Sequence, residues 1–315
     1  MRNNQRRVNT ASGMNQPRIL RIATALFLLA VISLLSACKI VPTSKIATLA
    51  AAYSTPGTPA AAASAATASA MPIQAEEPPQ CDSMLAGKVT RHEIRSKVLP
   101  QPYTVSVYTP PCYDETHAES YPVLYLLHGQ NMDDTFWFKL GAAEIVDELI
   151  AQGSPPFIMV MPYEVKNFDP PGDSKFYDAV LTELIPWVEG NFSVCTERAC
   201  RAVGGISRGG GWAIRLAARN FEMFSSVGGH SMGLMAGDTW QMQKYLKTHT
   251  IDEYPRIFID RGEDDYLYDG IDYFVDSLEK NGIPHEFHIF PGRHDIAYWQ
   301  AHVEEYLTWY AAGFK

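Results

Sequence analysis

The sequence predicts an α/β domain built on a mostly parallel sheet with helices on both faces, and three observations carry that reading. From about residue 105 onward, short apolar runs alternate with segments whose apolar residues recur every three or four positions. Glycine and proline clusters separate them. A serine flanked by glycines stands where one apolar run gives way to one helical segment. Repeated strand-helix alternation implies parallel strands joined by right-handed crossovers, with ligands at the carboxyl ends of the strands.

The elements follow in order. Residues 105–109 alternate apolar and polar side chains, as a half-exposed strand does, whereas 123–127 is a continuous apolar run ending at His128-Gly129, as a buried strand does. Ala142, Ile145, Val146, Leu149 and Ile150 form a helical stripe over 142–152, and Gly153 with two prolines leads into a strand at 157–161. Phe176, Val180, Leu181, Leu184, Trp187 and Val188 predict a helix over 176–190, followed by a short strand at 202–206. Beyond it come a helix at 209–219, a strand at 224–228, a helix near 239–247, a strand at 256–260 and a helix at 271–281. A strand at 286–290 and a helix at 298–310 complete one domain over 81–315.

The first eighty residues have a different character. Residues 22–37 carry no charge, follow Arg18 and Arg21, and end in Leu35-Ser36-Ala37-Cys38, the layout of a signal peptide over 1–37. As a helix those sixteen residues span about 24 Å at ~1.5 Å each, short of the ~30 Å hydrocarbon core of a bilayer. The last four residues resemble the bacterial lipobox, which makes Cys38 the expected lipidation site and the mature chain an exported, membrane-anchored lipoprotein. Met14 serves as a start equally well, because Met1 to Gly13 adds nothing such a signal needs. Residues 38–80 are rich in Ala, Ser, Thr and Pro, with no amphipathic stripe, and read as a tether. Taking the five arginines before Cys38 from 26 basic residues, against 35 acidic ones, moves the net charge from −9 to −14. No Lys/Arg cluster interrupts that acidity in the body, so nucleic acid is excluded as a partner. With Cys38 acylated, Cys81, Cys112, Cys195 and Cys200 remain, an even set that suggests two disulfides in an exported chain. Cys195 with Cys200 closes the shortest loop, leaving Cys81 for Cys112.

The chemistry concentrates around Gly205-Ile206-Ser207-Arg208-Gly209. A serine on a sharp strand-to-helix turn presents its hydroxyl at the sheet edge, beside a helix amino terminus that favours developing negative charge. Of the histidines that follow, His294 occupies the loop just past the last strand, where an imidazole reaches back to Ser207 as general base. His249, His285, His288 and His302 read as structural. The acid belongs after the strand at 256–260, where Asp260, Asp264 and Asp265 all qualify in the chain order Ser, Asp, His. The backbone N–H groups of Gln130 and Arg208 are expected to form an oxyanion hole. Trp137, His230 and Tyr298 are expected to line the substrate pocket. No cofactor is implied. Metal chemistry has no support either, since neither His-Glu-x-x-His nor Cys-x-x-Cys occurs.

The segments 121–129, 183–186, 205–210 and 292–299 resemble the putative esterase family, the esterase-D-like α/β-hydrolases that include feruloyl and acetylxylan esterases, S-formylglutathione hydrolases and mycolyltransferases. The resemblance runs from about residue 105 to the carboxyl terminus. It implies the α/β-hydrolase fold and an acid in a Gly-x-x-Asp turn, here Gly262-Glu263-Asp264-Asp265, hence Asp265. Asp264 is then expected to face solvent or Arg261, and Asp260 to hydrogen-bond the turn. Arg208 departs from the methionine common after the serine, and its guanidinium can pair with a substrate carboxylate or with a nearby Asp or Glu. The expected function is an exported serine carboxylic-ester hydrolase working through an acyl-enzyme on a small-molecule or glycan ester. An acyltransferase of the same fold and a catalytically idle ligand-binding lipoprotein are the alternatives. Export disfavours S-formylglutathione hydrolysis.

Overall fold

The computed structural model describes residues 86–115, 120–246 and 248–314; the expected signal segment and tether, with Cys38, and also Cys81 lie outside them. Its strands are β1 (Lys88–Ile94), β2 (Tyr103–Thr109), β3 (Val123–Leu127), β4 (Ile158–Pro162), β5 (Arg201–Ile206), β6 (Ser226–His230), β7 (Arg256–Gly262) and β8 (Glu286–Phe290). They form one sheet in the order β1-β2-β4-β3-β5-β6-β7-β8. β2 runs antiparallel to β1 and β4, and every other neighbouring pair is parallel. The carboxyl ends of β3 through β8 therefore share one edge with the amino end of β2. This is the α/β-hydrolase arrangement.

The helices are α1 (Phe136–Lys139), α2 (Ala142–Ala151), α3 (Phe176–Ala179), α4 (Ile185–Asn191), α5 (Arg208–Arg219), α6 (Asp238–Leu246), α7 (Tyr268–Lys280) and α8 (Ile296–Ala311). Successive residues of β3 show how they divide between the faces. Val123, Tyr125 and Leu127 join the apolar layer containing residues of α3, α4, α5 and α7, while Leu124 and Leu126 join the layer of α1, α2 and α8. Because both faces are covered, every residue of β3, β4, β5 and β6 is buried, which is why these strands read as unbroken apolar or small-residue runs.

Three departures from the sequence reading have physical causes. β1 escaped notice because it is an edge strand whose residues are mostly polar; Val89 is 46% exposed, and charged side chains protect such edges from further pairing. The helix expected over 176–190 contains a π turn at Val180–Leu184 between α3 and α4. Pro186 lacks an N–H for the Thr182 carbonyl and its ring crowds that oxygen, so the helix widens just before it. β6 begins and ends two residues later than expected, so His230 is its last residue and pairs in register with Asp260 and Ile206. Cys195 and Cys200 are joined in a disulfide. Cys112 is also disulfide-bonded, and its expected partner Cys81 lies outside the described residues.

Candidate active site

Ser207 stands between β5 and α5 with φ 55° and ψ −119°, a strained conformation for a residue with a side chain. The chain tolerates it because the turn is gripped on all sides. The Ser207 N–H donates to the His230 carbonyl at 2.8 Å, and the Ser207 carbonyl accepts from Gly211 at 3.0 Å and Gly233 at 2.9 Å. The flanking glycines are required by close approach. A Cβ on Gly209 would lie 2.5 Å from the Leu127 carbonyl carbon and 2.6 Å from the His128 oxygen, and one on Gly205 would lie 2.7 Å from the Gly210 nitrogen.

His294 follows β8 and reaches back across the edge, its Nε2 2.8 Å from Ser207 Oγ. Its Nδ1 lies 3.0 Å from each oxygen of Asp265. Since an ionised carboxylate only accepts, Nδ1 carries the proton and Nε2 is left free to receive the serine proton. The His294 side chain is 6% exposed and the Asp265 side chain 0%. The Tyr266 and Trp299 rings flank the imidazole with centroids at 4.6 and 5.1 Å. Burial pushes the Asp265 carboxyl up, but hydrogen bonds from His294 and the Leu267 N–H outweigh it and hold the carboxyl below its ordinary range.

The other two aspartates are placed differently. Asp264 is 73% exposed at its side chain and faces Arg293 at 3.9 Å, while Arg261 pairs instead with Asp272 at 2.7 Å. Asp260 does not bond the turn; its carboxylate is fully buried among His230, Tyr298 and Tyr306. The residues expected in the pocket also lie beneath the site. Trp137, His230 and Tyr298 are 0%, 0% and 3% exposed. Trp137 Nε1 donates to the Leu127 carbonyl at 3.3 Å, and the two-residue shift of β6 turns His230 into the sheet's packed layer rather than a loop.

The N–H groups of Gln130 and Arg208 donate to no acceptor among the described residues. His128 fixes the first of them. Its Nε2 accepts the Glu164 N–H at 2.9 Å, which leaves Nδ1 as the donor to the Gly129 carbonyl at 2.7 Å. Burial lowers the His128 pKa and keeps this ring neutral. Across a trans peptide the Gly129 C=O and the Gln130 N–H point in opposite directions, so holding one aims the other. Arg208 opens α5, where helix N–H groups are free of intrahelical partners. Its guanidinium is committed elsewhere, to both oxygens of Glu164 at 2.8 and 2.6 Å. Neither Glu164 nor the tautomeric role of His128 was flagged by a motif; the one signal is that His128 precedes a glycine at the end of a buried strand.

The profile of the putative esterase family matches residues 96–310. The chain belongs to this family. An endo-1,4-beta-xylanase/feruloyl esterase of Xylanibacter ruminicola is 33% identical over 217 residues, which is 65% of this chain and 27% of that protein. Esterase Rv1288 of Mycobacterium tuberculosis is 29% identical over 245 residues, 60% of this chain and 52% of that protein. The match thus spans about half or less of these relatives' length. A ferulic acid esterase of known structure superposes with a TM-score of 0.64 at 27% identity, covering 73% of this chain and 99% of the other. Fold and family are those of carboxylic ester hydrolases.

Proposed function

We propose that this protein is a serine ester hydrolase in which Ser207, His294 and Asp265 form the catalytic triad and the Gln130 and Arg208 N–H groups form the oxyanion hole. The observation that carries the reading is the unbroken run of hydrogen bonds from Asp265 through His294 to Ser207 Oγ. Ser207 Oγ attacks the ester carbonyl carbon while His294 Nε2 takes its proton. The carbonyl oxygen, now anionic, receives the two N–H groups, each such donor supplying about 3 kcal/mol. Collapse expels the alcohol, which takes the proton from Nε2, and leaves an acyl-serine. Water then repeats the sequence, giving its proton to Nε2 as it attacks and releasing the acid and free Ser207.

The acyl group we favour is an aromatic one, borne on a carbohydrate. A cleft of about 610 Å³ opens beside Gln130, lined by Asn131, Met132, Tyr163, Asn167 and Phe168 together with the charged Arg91, Asp133 and Asp134. It offers flat apolar faces and amide groups together, as a hydroxylated ring requires. Two named relatives are feruloyl esterases, which agrees with that choice. Glu164 neutralises Arg208, so no unpaired guanidinium waits at Ser207 for a substrate carboxylate, and neutral acyl groups are expected. The lipobox-like segment supports an exported enzyme tethered to a membrane through Cys38. The test is turnover of feruloyl, acetyl and short-chain esters of sugars by the full chain and by Ser207→Ala. We expect feruloyl sugars to be preferred and Ser207→Ala to lose activity by several orders of magnitude. Equal turnover by the two proteins, or no ester turned over by either, would defeat the reading.

A further inference from the structure

Beneath the site lies a group of polar side chains that the chemistry does not touch. Asp260, in β7, is fully buried. Its Oδ1 accepts from His230 Nδ1 at 2.7 Å, and its Oδ2 accepts the hydroxyls of Tyr298 at 2.6 Å and Tyr306 at 2.7 Å. The Tyr310 hydroxyl closes the set at 3.0 Å from His230 Nε2, and the His230 ring stacks on Tyr306 at 3.7 Å. A buried carboxylate is costly unless its lone pairs are filled, and here three donors fill them. Burial and then the charge of Asp260 push the Tyr298 hydroxyl far above its ordinary range, so it remains a donor. The strands are cut away to admit the group: a Cβ on Gly204 or on Gly228 would collide with the Tyr310 hydroxyl.

Each member is attached to a segment that carries one part of the site. His230 ends β6, and its own carbonyl holds the Ser207 N–H at 2.8 Å. Asp260 sits in β7, which delivers Asp265 through the turn at Gly262, and its carbonyl accepts the Ser231 N–H at 2.9 Å. Tyr298 lies in the first turn of α8, four residues past His294, with its N–H capped by Asp295 at 3.0 Å. Nucleophile, acid and base reside on separate segments, and this carboxylate joins all three in the layer below them.

We propose that Tyr298, Asp260 and His230 are positioning residues that fix the spacing between the His294 loop and the Ser207 turn. The proposal rests on the hydrolase reading. Tyr298→Phe keeps the ring and removes one bond to Asp260. Tyr108→Phe is the control: it also removes one hydroxyl bond to a carboxylate, the part-buried one to Asp147 at 2.6 Å, but from the part of β2 remote from Ser207. Both full-length variants are to be compared with the parent for melting temperature, kcat, KM and the rate at which a fluorophosphonate labels Ser207. Both should melt lower. Only Tyr298→Phe should lose kcat and labelling rate, by about 10- to 100-fold, with KM within about threefold, because misplacement by a fraction of an ångström is felt in the reacting geometry. If Tyr298→Phe melts lower yet labels and turns over within about threefold of the parent, as the control does, the network is merely structural and the proposal fails. Should Tyr298→Phe not fold, Tyr310→Phe, which frees His230 Nε2, is read by the same criteria. A parent that is labelled but hydrolyses no ester would overturn the hydrolase reading alone, and the labelling rates would still decide the positioning role.

Discussion

Replacing Asp265 by asparagine is expected to disable the enzyme through the wrong histidine tautomer. Asp265 Oδ1 accepts the Leu267 N–H at 2.8 Å, and only an oxygen can do so. The amide oxygen of Asp265→Asn therefore keeps the Oδ1 position, and the NH₂ group falls where Oδ2 stood, 3.0 Å from His294 Nδ1. The retained oxygen also lies 3.0 Å from Nδ1, so two tautomers now compete: one donates Nδ1–H to that oxygen, and the other accepts from the NH₂ group and carries its proton on Nε2. In the second the ring presents an N–H to Ser207 Oγ and cannot take the serine proton at the moment of attack. An isosteric change of this kind costs about 10⁴ in kcat, or ~5.4 kcal/mol at ~1.36 kcal/mol per tenfold. Asp264→Asn is the control, because Asp264 is largely exposed and its 3.9 Å approach to an equally exposed Arg293 is a surface contact of little worth. Its kcat should stay within about threefold of the parent. Steady-state hydrolysis by both variants, with circular dichroism to establish folding, decides the matter. A crippled Asp264→Asn beside a near-normal Asp265→Asn would refute the tautomer argument and shift the acid by one residue.

Glu164→Ala strands the Arg208 guanidinium, 11% exposed, without its partner and should destabilise the fold by about 3–5 kcal/mol. Adding Arg208→Met should restore most of that in urea unfolding, and a double variant no more stable than the single one would show that the ion pair is not the cause. Gly209→Ala must push the Leu127–His128 backbone away from 2.5 and 2.6 Å contacts, so we expect a markedly lower melting temperature and loss of Ser207 labelling; a normal melt would mean the elbow is looser than described. Acid stability follows from Asp134, whose carboxyl burial pushes up but bonds from Arg91, Ser106 and Thr104 pull below its ordinary range. A depressed folded pKa gives stability that is complete above the unfolded value of about 3.9 and is lost as pH falls through the folded one. Asp134→Asn should therefore be less stable at pH 6 and should converge on the parent in urea titrations as pH falls below the unfolded value of about 3.9 and through the lower folded one; a gap that persists in strong acid would contradict this.

Much of the fold was legible because the central strands β3 to β6 are buried on both faces. β3 and β8 match their expected bounds, and Ser207, His294 and Asp265, marked by chain order and turn chemistry, stand within hydrogen-bond reach of one another. What stayed hidden depended on register and on pairs distant in sequence. A two-residue shift in β6 separates a pocket-lining His230 from one sealed in the sheet, and the apolar run from Phe224 does not encode it, since Phe224 packs in the core just before the strand begins. Tyr298 was expected in the pocket, yet helical geometry turns it inward to Asp260, 38 residues away in sequence. Glu164 had no periodicity to betray it; only the fold sets it against Arg208, 44 residues on. β1 carries too few apolar side chains to register as a strand until β2 is there to pair with it.

The central claim is that Ser207 is a nucleophile activated by His294, and covalent trapping tests it most directly. The full chain is incubated with a fluorophosphonate at neutral pH, its intact mass is measured, and the adduct is located by peptide mapping. A single adduct on Ser207, abolished in Ser207→Ala and slowed by orders of magnitude in His294→Ala, is the expected result. A folded protein that takes up no label, or one labelled equally well without His294, would contradict the account.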